Sequence, residues 1–179
     1  MNDRFIIELK EWSKTLIIAL IISLVISRGI IVNATVPTGS MKSTIEPGDR
    51  LISYRLAYLH EEPERGDIIT FIQHEDNDKM YVKRLIGLPG DEINIVKGKV
   101  YINGDATEEP YLNEKLDLKD YGPFIVPEGH YFFLGDNRTN SGDSRKWSNP
   151  YISEADLTGK VIFKYFPSFE VFVDNTEPE

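Results

Sequence analysis

No cysteine occurs in the 179 residues, so disulfide scaffolds, cysteine nucleophiles and thiolate-bound metals are excluded at once. Histidine is scarce: His60, His74 and His130 are the only three. They form no H-E-x-x-H or clustered ligand set, so neither a metal nor another cofactor is expected. A triad of His130 with Asp136 lacks the G-x-S-x-G elbow that would present its serine. A basic surplus is missing too. The formal charge is −9 and the pI about 4.9, which argues against a nucleic-acid-binding surface. Beyond Val36 there is no long 3.6-residue apolar stripe, apart from a short possible helix at Ser153–Leu157. Internal repeats and a second domain are absent as well.

What the sequence has in excess is one apolar run. Leu16–Val36 (LIIALIISLVISRGIIVNATV) carries a single charge, Arg28. At about 1.5 Å per residue such a run spans roughly 30 Å, the thickness of a bilayer's hydrocarbon core. A cleaved leader would use Lys10 and Lys14 as its basic flank and Val32-Asn33-Ala34 as its cleavage point. The run is longer than a leader core of roughly 7–15 residues, and Arg28 can snorkel from its far end, which favours a retained anchor. Three segments are therefore expected: a lead (1–14), a transmembrane anchor (15–36) and a β-rich domain (37–179). Charge decides little about orientation, because Lys42 and Arg50 follow the run as closely as Lys10 and Lys14 precede it.

The remainder consists of short alternating runs. Leu51–Tyr54, Ile68–Ile72, Met80–Ile86, Glu92–Val96, Lys99–Ile102, Tyr131–Leu134 and Lys160–Phe166 read as strands. Turn signals punctuate them: Pro47-Gly48-Asp49, Arg65-Gly66-Asp67, Pro89-Gly90-Asp91, Lys97-Gly98 and Asn103-Gly104. The Arg-Gly-Asp triplet spells a cell-adhesion motif, but reads here as the turn into a strand. The pattern predicts a mainly β, antiparallel domain, either a barrel or a pair of coiled sheets. Ala106–Pro123 is polar and poor in β-branched residues, hence a long surface connection of the kind that forms lids or recognition segments. The acidic tail Asp174–Glu179 reads as a frayed end.

Three segments carry candidate chemistry. The first, Pro37-Thr38-Gly39-Ser40-Met41-Lys42-Ser43-Thr44-Ile45, holds a serine eight steps past Val32, within about 26 Å of a helix ending there. The second, Tyr81 to Asp91, puts Tyr81, Lys83 and Leu85 on one strand face. Burial there would depress the lysine's pKa; a drop of about 3 units, enough to make it a base at neutral pH, costs roughly 4 kcal/mol. The third, Gly135 to Arg145, is dense in Asp, Asn and Ser and can orient a catalytic group from a rigid loop. As a cation loop it lacks a twelfth-position Glu and carries two arginines besides. Taken singly, each segment has a plainer reading as a solvated loop or strand edge.

Together, in this order, the three resemble the signature boxes of bacterial type I signal peptidases: S-G-S-M-x-P-T-L, Y-V-K-R-x-x-G-x-P-G-D and G-D-N-R-x-x-S-x-D-S-R. The resemblance runs from the anchor to about Phe166. It implies Ser40 as nucleophile, Lys83 as general base, and an oxyanion site made by the Ser40 N–H and the Thr38 hydroxyl. It further implies that Ser141 orients the Lys83 amine, that Asp143 with Arg145, and Asp136, support the dyad, and that Met41 lines the substrate site. The implied reaction removes signal peptides from exported preproteins after small residues at −3 and −1, through an acyl-enzyme. The implied setting is the bacterial cell membrane, with a single span, an extracytoplasmic catalytic domain, lipid and the export machinery as partners, and a monomeric enzyme. Thr38, Ser43 and Ile45 depart from the family's commoner Ser, Pro and Leu; none of these changes removes a catalytic atom. Two other readings stay open: a self-cleaving Ser-Lys regulator of related fold, and an anchored β-domain that binds exported chains without cutting them. The first would need a DNA-binding domain where this chain has its apolar run.

Overall fold

The computed structural model describes residues 3–112 and 115–172; the acidic tail lies outside them. Helix α1 (Asp3–Val25) continues through a wider turn, Ile26–Ile30, that closes with the Ile31 N–H bonded to the Ile26 carbonyl. Leu16, Ile17, Leu20, Ile21 and Leu24 are all exposed. An apolar helix with no protein cover, 23 residues from Glu8 to Ile30 and about 35 Å long, fits a single membrane span.

The apolar run does not stay helical to Val36. Its last residues form β1 (Ile31–Thr35), paired antiparallel with β2 (Arg50–Tyr54) in the register Ile31↔Tyr54 to Thr35↔Arg50. Val32 is buried between exposed or half-buried neighbours, so a period of two replaces the helical one at that point.

Next come β3 (Ile68–Gln73), β4 (Lys79–Gly87), β5 (Glu92–Val96), β6 (Lys99–Ile102), β7 (Asp105–Ala106) and β8 (Tyr121–Ile125). The last four are β9 (His130–Leu134), β10 (Tyr151–Ser153), β11 (Leu157–Phe166) and β12 (Glu170–Val171). Every pairing is antiparallel. One sheet has the order β1-β2-β11-β3-β4-β9-β10, with β12 on β11; the other has β7-β6-β5-β8. The path of the large sheet ends on β1 and β10, so the expectation of a barrel or paired sheets resolves to two open sheets. All seven predicted strands are present. Ser153–Leu157 is a single 3₁₀ turn, Glu154–Asp156, capped by the Ser153 hydroxyl.

Three turns share one device. In Pro47-Gly48-Asp49, Arg65-Gly66-Asp67 and Pro89-Gly90-Asp91 the aspartate accepts the backbone N–H three residues earlier, from Glu46, Glu64 and Leu88 at 2.9, 3.1 and 2.7 Å. Asp67 is buried and takes Lys160 at 2.7 Å as well, so the Arg-Gly-Asp triplet is a structural turn.

Phe132 on β9 ties the sheets together, packing with Ile86, Ile93, Ile95 and Val100 and meeting the Phe124 ring at a tilt, centroids 4.9 Å apart. Met41, Ile45 and Leu51 form a second buried cluster, and Ile69, Phe71, Leu85 and Phe133 a third. Truncating a buried phenylalanine costs about 3–5 kcal/mol. Phe132→Ala is therefore expected to lower unfolding stability by that amount in denaturant titration; a loss below about 1 kcal/mol would show that Phe132 does not couple the sheets.

Candidate active site

The segment between β1 and β2 is held from below. Met41 and Ile45 are fully buried, and their turn closes through the Ile45 N–H on the Met41 carbonyl at 2.8 Å. That anchorage leaves Gly39 and Ser40 at the floor of a groove of about 740 Å³. Residues 34–40 line it together with Lys79 to Lys83 of β4, Thr70, Asp76, Asn140 and Gly142.

β4 delivers the lysine. Tyr81 and Leu85 pack in the third cluster, as the strand parity predicts, and Lys83 lies between them with 3% of its surface exposed. Its Nζ is 2.7 Å from Ser40 Oγ, 3.1 Å from the Val82 carbonyl and 4.9 Å from the centre of the Tyr81 ring. Burial lowers the Lys83 pKa from 10.5 to about 8, and the charges of Asp143 and Asp136 oppose a larger fall. Thr38 Oγ1 stands 3.4 Å from Ser40 Oγ, on the open side.

The loop after β9 closes the site. The Asn137 N–H donates to the Ser40 carbonyl and its Nδ2 to the Gly39 carbonyl, both at 3.0 Å, which splices this loop to the serine segment. Asp136 is forked by Arg84, Nε at 3.0 Å and Nη2 at 2.7 Å, and takes the Thr44 hydroxyl at 2.6 Å. Asp143 is forked by Arg145, Nε and Nη2 both at 2.8 Å, and accepts the Gly135 N–H at 3.1 Å. Burial pushes the Asp143 carboxyl up, but the Arg145 guanidinium more than offsets it and holds the group ionised.

Most of the sequence-predicted residues thus converge: Ser40, Lys83 and Thr38 at the groove, Asp136, Asp143 and Arg145 beneath it. Two stand differently from expectation. Met41 points into the core with no exposed surface and does not line the groove. Its side chain is the apolar anchor of the serine segment. Ser141 Oγ is buried and faces Asp143 closely enough to favour the carboxylate, but it makes no hydrogen bond of normal geometry among the described residues, to Lys83 or otherwise. The chain packs so tightly there that a Cβ on Gly135 would stand 2.3 Å from Ser141 Oγ and 2.4 Å from the Ser40 carbonyl oxygen. His130 is turned to the Glu128 carbonyl at 2.9 Å and does not meet Asp136. Sequence reasoning gave no role to Arg84, Thr44 or Asn137. Arg84 had a usable signal, a charge on the strand face opposite Lys83 that needs a buried partner.

A folded-state pKa near 8 against 10.5 means that the unfolded chain binds more protons between those values, so wild-type stability rises with pH across that window. Below it, the buried ammonium costs on the order of 3 kcal/mol. Lys83→Met is expected to gain about that much at pH 7, and the gain to shrink as pH climbs through 8 towards 10.5. Denaturant titrations at several pH values in detergent check this; a pH-independent difference would contradict the burial of the amine.

A family model described as "Signal peptidase, peptidase S26" matches residues 9–166. A probable signal peptidase I-2 from Synechocystis is 35% identical over 88% of this chain and 73% of its own length. A signal peptidase I from Bacillus licheniformis is 39% identical, covering 90% of each. Among solved structures, a crystal structure of a signal peptidase I from Enterococcus faecalis V583 is 35% identical, covering 56% of this chain and 97% of that one, with a TM-score of 0.49. With a family match spanning both the apolar helix and the two sheets, this chain belongs to the signal peptidase family, peptidase S26, a family of hydrolases.

Proposed function

We propose that this protein is a membrane-bound signal peptidase that cuts N-terminal signal peptides from exported preproteins with Ser40 as nucleophile and Lys83 as general base. The observation that carries the reading is the 2.7 Å separation of Ser40 Oγ and Lys83 Nζ at the floor of the groove. An amine with a pKa of about 8 is neutral in roughly a tenth of molecules at pH 7, against a few in ten thousand for a solvated lysine. It therefore has both the reach and the basicity to take the serine proton.

In this mechanism neutral Lys83 accepts the Ser40 proton as Oγ attacks the scissile carbonyl carbon. The carbonyl oxygen becomes an oxyanion between the Ser40 N–H and the Thr38 hydroxyl, which stands beside Oγ on the open side of the groove. Collapse breaks the C–N bond, and the Lys83 ammonium returns its proton to the departing amine. The ester that remains on Ser40 is attacked by water, deprotonated by the same neutral lysine, and the signal peptide leaves as a carboxylate. One lysine suffices because it alternates between base and acid.

Cleavage after small residues at −3 and −1 is the specificity that the family resemblance implies, and Ala34, Val36 and Val82 are among the residues lining the groove that would meet such side chains. The apolar part of α1 beyond residue 14, continued to Ile30, serves as the single anchor, the lead 1–14 stays cytoplasmic and the β domain lies outside the cell membrane. Ser40 lies ten steps along the chain from Ile30, so the nucleophile is no more than about 33 Å from the helix end, within reach of a substrate still held in the bilayer. Lipid and the export machinery are the partners this placement implies, and the enzyme acts as a monomer without a cofactor.

Purified protein in detergent, with a preprotein as substrate, tests the dyad. Ser40→Ala is expected to lower cleavage at least 1,000-fold, an order of magnitude typical for loss of a nucleophile. The pH dependence of kcat/KM is expected to show an acid limb near 8, because the base must be neutral, with Lys83→Ala inactive throughout. Equal cleavage by Ser40→Ala, or a limb near 10.5, would contradict the assignment.

A further inference from the structure

The connection between β7 and β8 reads in the sequence as a lid or recognition loop, yet none of its described residues lines the groove beside Ser40. Its side chains turn instead to the loop after β9. Glu109 takes both Nη groups of Arg138, Nη1 at 3.1 Å and Nη2 closer still, and both side chains are more than nine-tenths buried. The Tyr111 hydroxyl donates to Glu109 at 2.8 Å, and the Tyr111 ring lies 3.8 Å from the guanidinium carbon of Arg84. Burial, then the Glu109 charge, pushes the Tyr111 phenol up, so it remains a donor.

A few residues on, the arrangement recurs. Asp117 accepts the Tyr121 hydroxyl at 2.7 Å and stands 3.8 Å from Arg145 Nη1, while the Tyr121 ring lies 5.5 Å from the Arg145 guanidinium carbon. Arg84 and Arg145 are the two arginines that fork Asp136 and Asp143, the carboxylates whose charges act on Lys83. Each therefore grips a carboxylate of the loop after β9 with its donors and rests on a tyrosine, Tyr111 in the connection for Arg84 and Tyr121 at the start of β8 for Arg145. Each tyrosine is in turn aimed by a carboxylate of that connection. A guanidinium forked on one side and stacked on another has little orientational freedom left.

The geometry points to a positioning role: Glu109, Tyr111, Asp117 and Tyr121 form a strap that sets the placement of Asp136 and Asp143 around Lys83 through Arg84 and Arg145, with Glu109 also holding Arg138 of the loop after β9, without touching substrate. This inference rests on the Ser40/Lys83 reading. It differs from a lid in what it governs, which is the chemical step and not substrate capture.

Steady-state cleavage of a preprotein by the full chain in detergent separates the two. Tyr111→Leu and Tyr121→Leu are each expected to lower kcat tenfold or more with KM within twofold, and Tyr111→Phe, which keeps the ring on Arg84, to stay within threefold of wild type. Wild-type kcat in both leucine variants, or a loss seen only as raised KM, would overturn the strap. If circular dichroism shows the leucine variants unfolded, the near-isosteric Glu109→Gln and Asp117→Asn pair decides: a kcat lowered threefold or more supports it, and an unchanged kcat overturns it. The dyad has its own readout. Cleavage that survives Ser40→Ala sinks the underlying reading whatever the strap variants do, whereas full kcat in strap variants beside an inactive Ser40→Ala sinks the strap alone.

Discussion

The contact between an amine and a hydroxyl, Lys83 Nζ and Ser40 Oγ, is the constraint around which the rest of the domain is arranged. An ammonium stripped of water is unstable by several kcal/mol, and a lysine left in water is too basic to act at neutral pH. The domain holds Lys83 between these limits. Desolvation by β4 and its neighbours drives the pKa down, and two buried carboxylates stop the fall near 8. Those carboxylates are themselves saturated by arginine, so they favour the ammonium without forming an ion pair with it that would lock the proton in place.

Three stretches far apart in sequence must meet to achieve this, and each is held by a different kind of force. The serine segment is fixed by apolar burial of Met41 and Ile45. The lysine is fixed by strand pairing, with Ile69 opposite it on β3. The loop after β9 is fixed by charge-assisted hydrogen bonds, and Asn137 joins it to the serine segment through two backbone carbonyls.

Local patterns made much of this legible. Alternation and turn residues located every long strand, and strand parity put Lys83 on the face of Tyr81 and Leu85. Legibility failed where structure depends on contacts distant in sequence. Ile31–Thr35 continues an apolar run without a break, and only pairing with Arg50–Tyr54 marks it as a strand. Tyr121–Ile125, which contains Gly122 and Pro123, has poor strand composition and forms against β5. The resemblance placed Met41 at the substrate, but a residue beside a nucleophile can equally face the core. Glu109 and Tyr111 read as solvent-facing loop residues because their partners, Arg138 and Arg84, are 29 and 27 residues away and leave no local period.

The protonation of Lys83 itself is the most direct test. With isotopically labelled lysine in the detergent-solubilised protein, and Lys83→Arg to assign the signal, magnetic resonance can follow that one amine as pH is raised. A buried amine 2.7 Å from the serine hydroxyl is expected to titrate near pH 8, well apart from the solvated lysines. A Lys83 signal titrating with the others, near 10.5, would contradict the account.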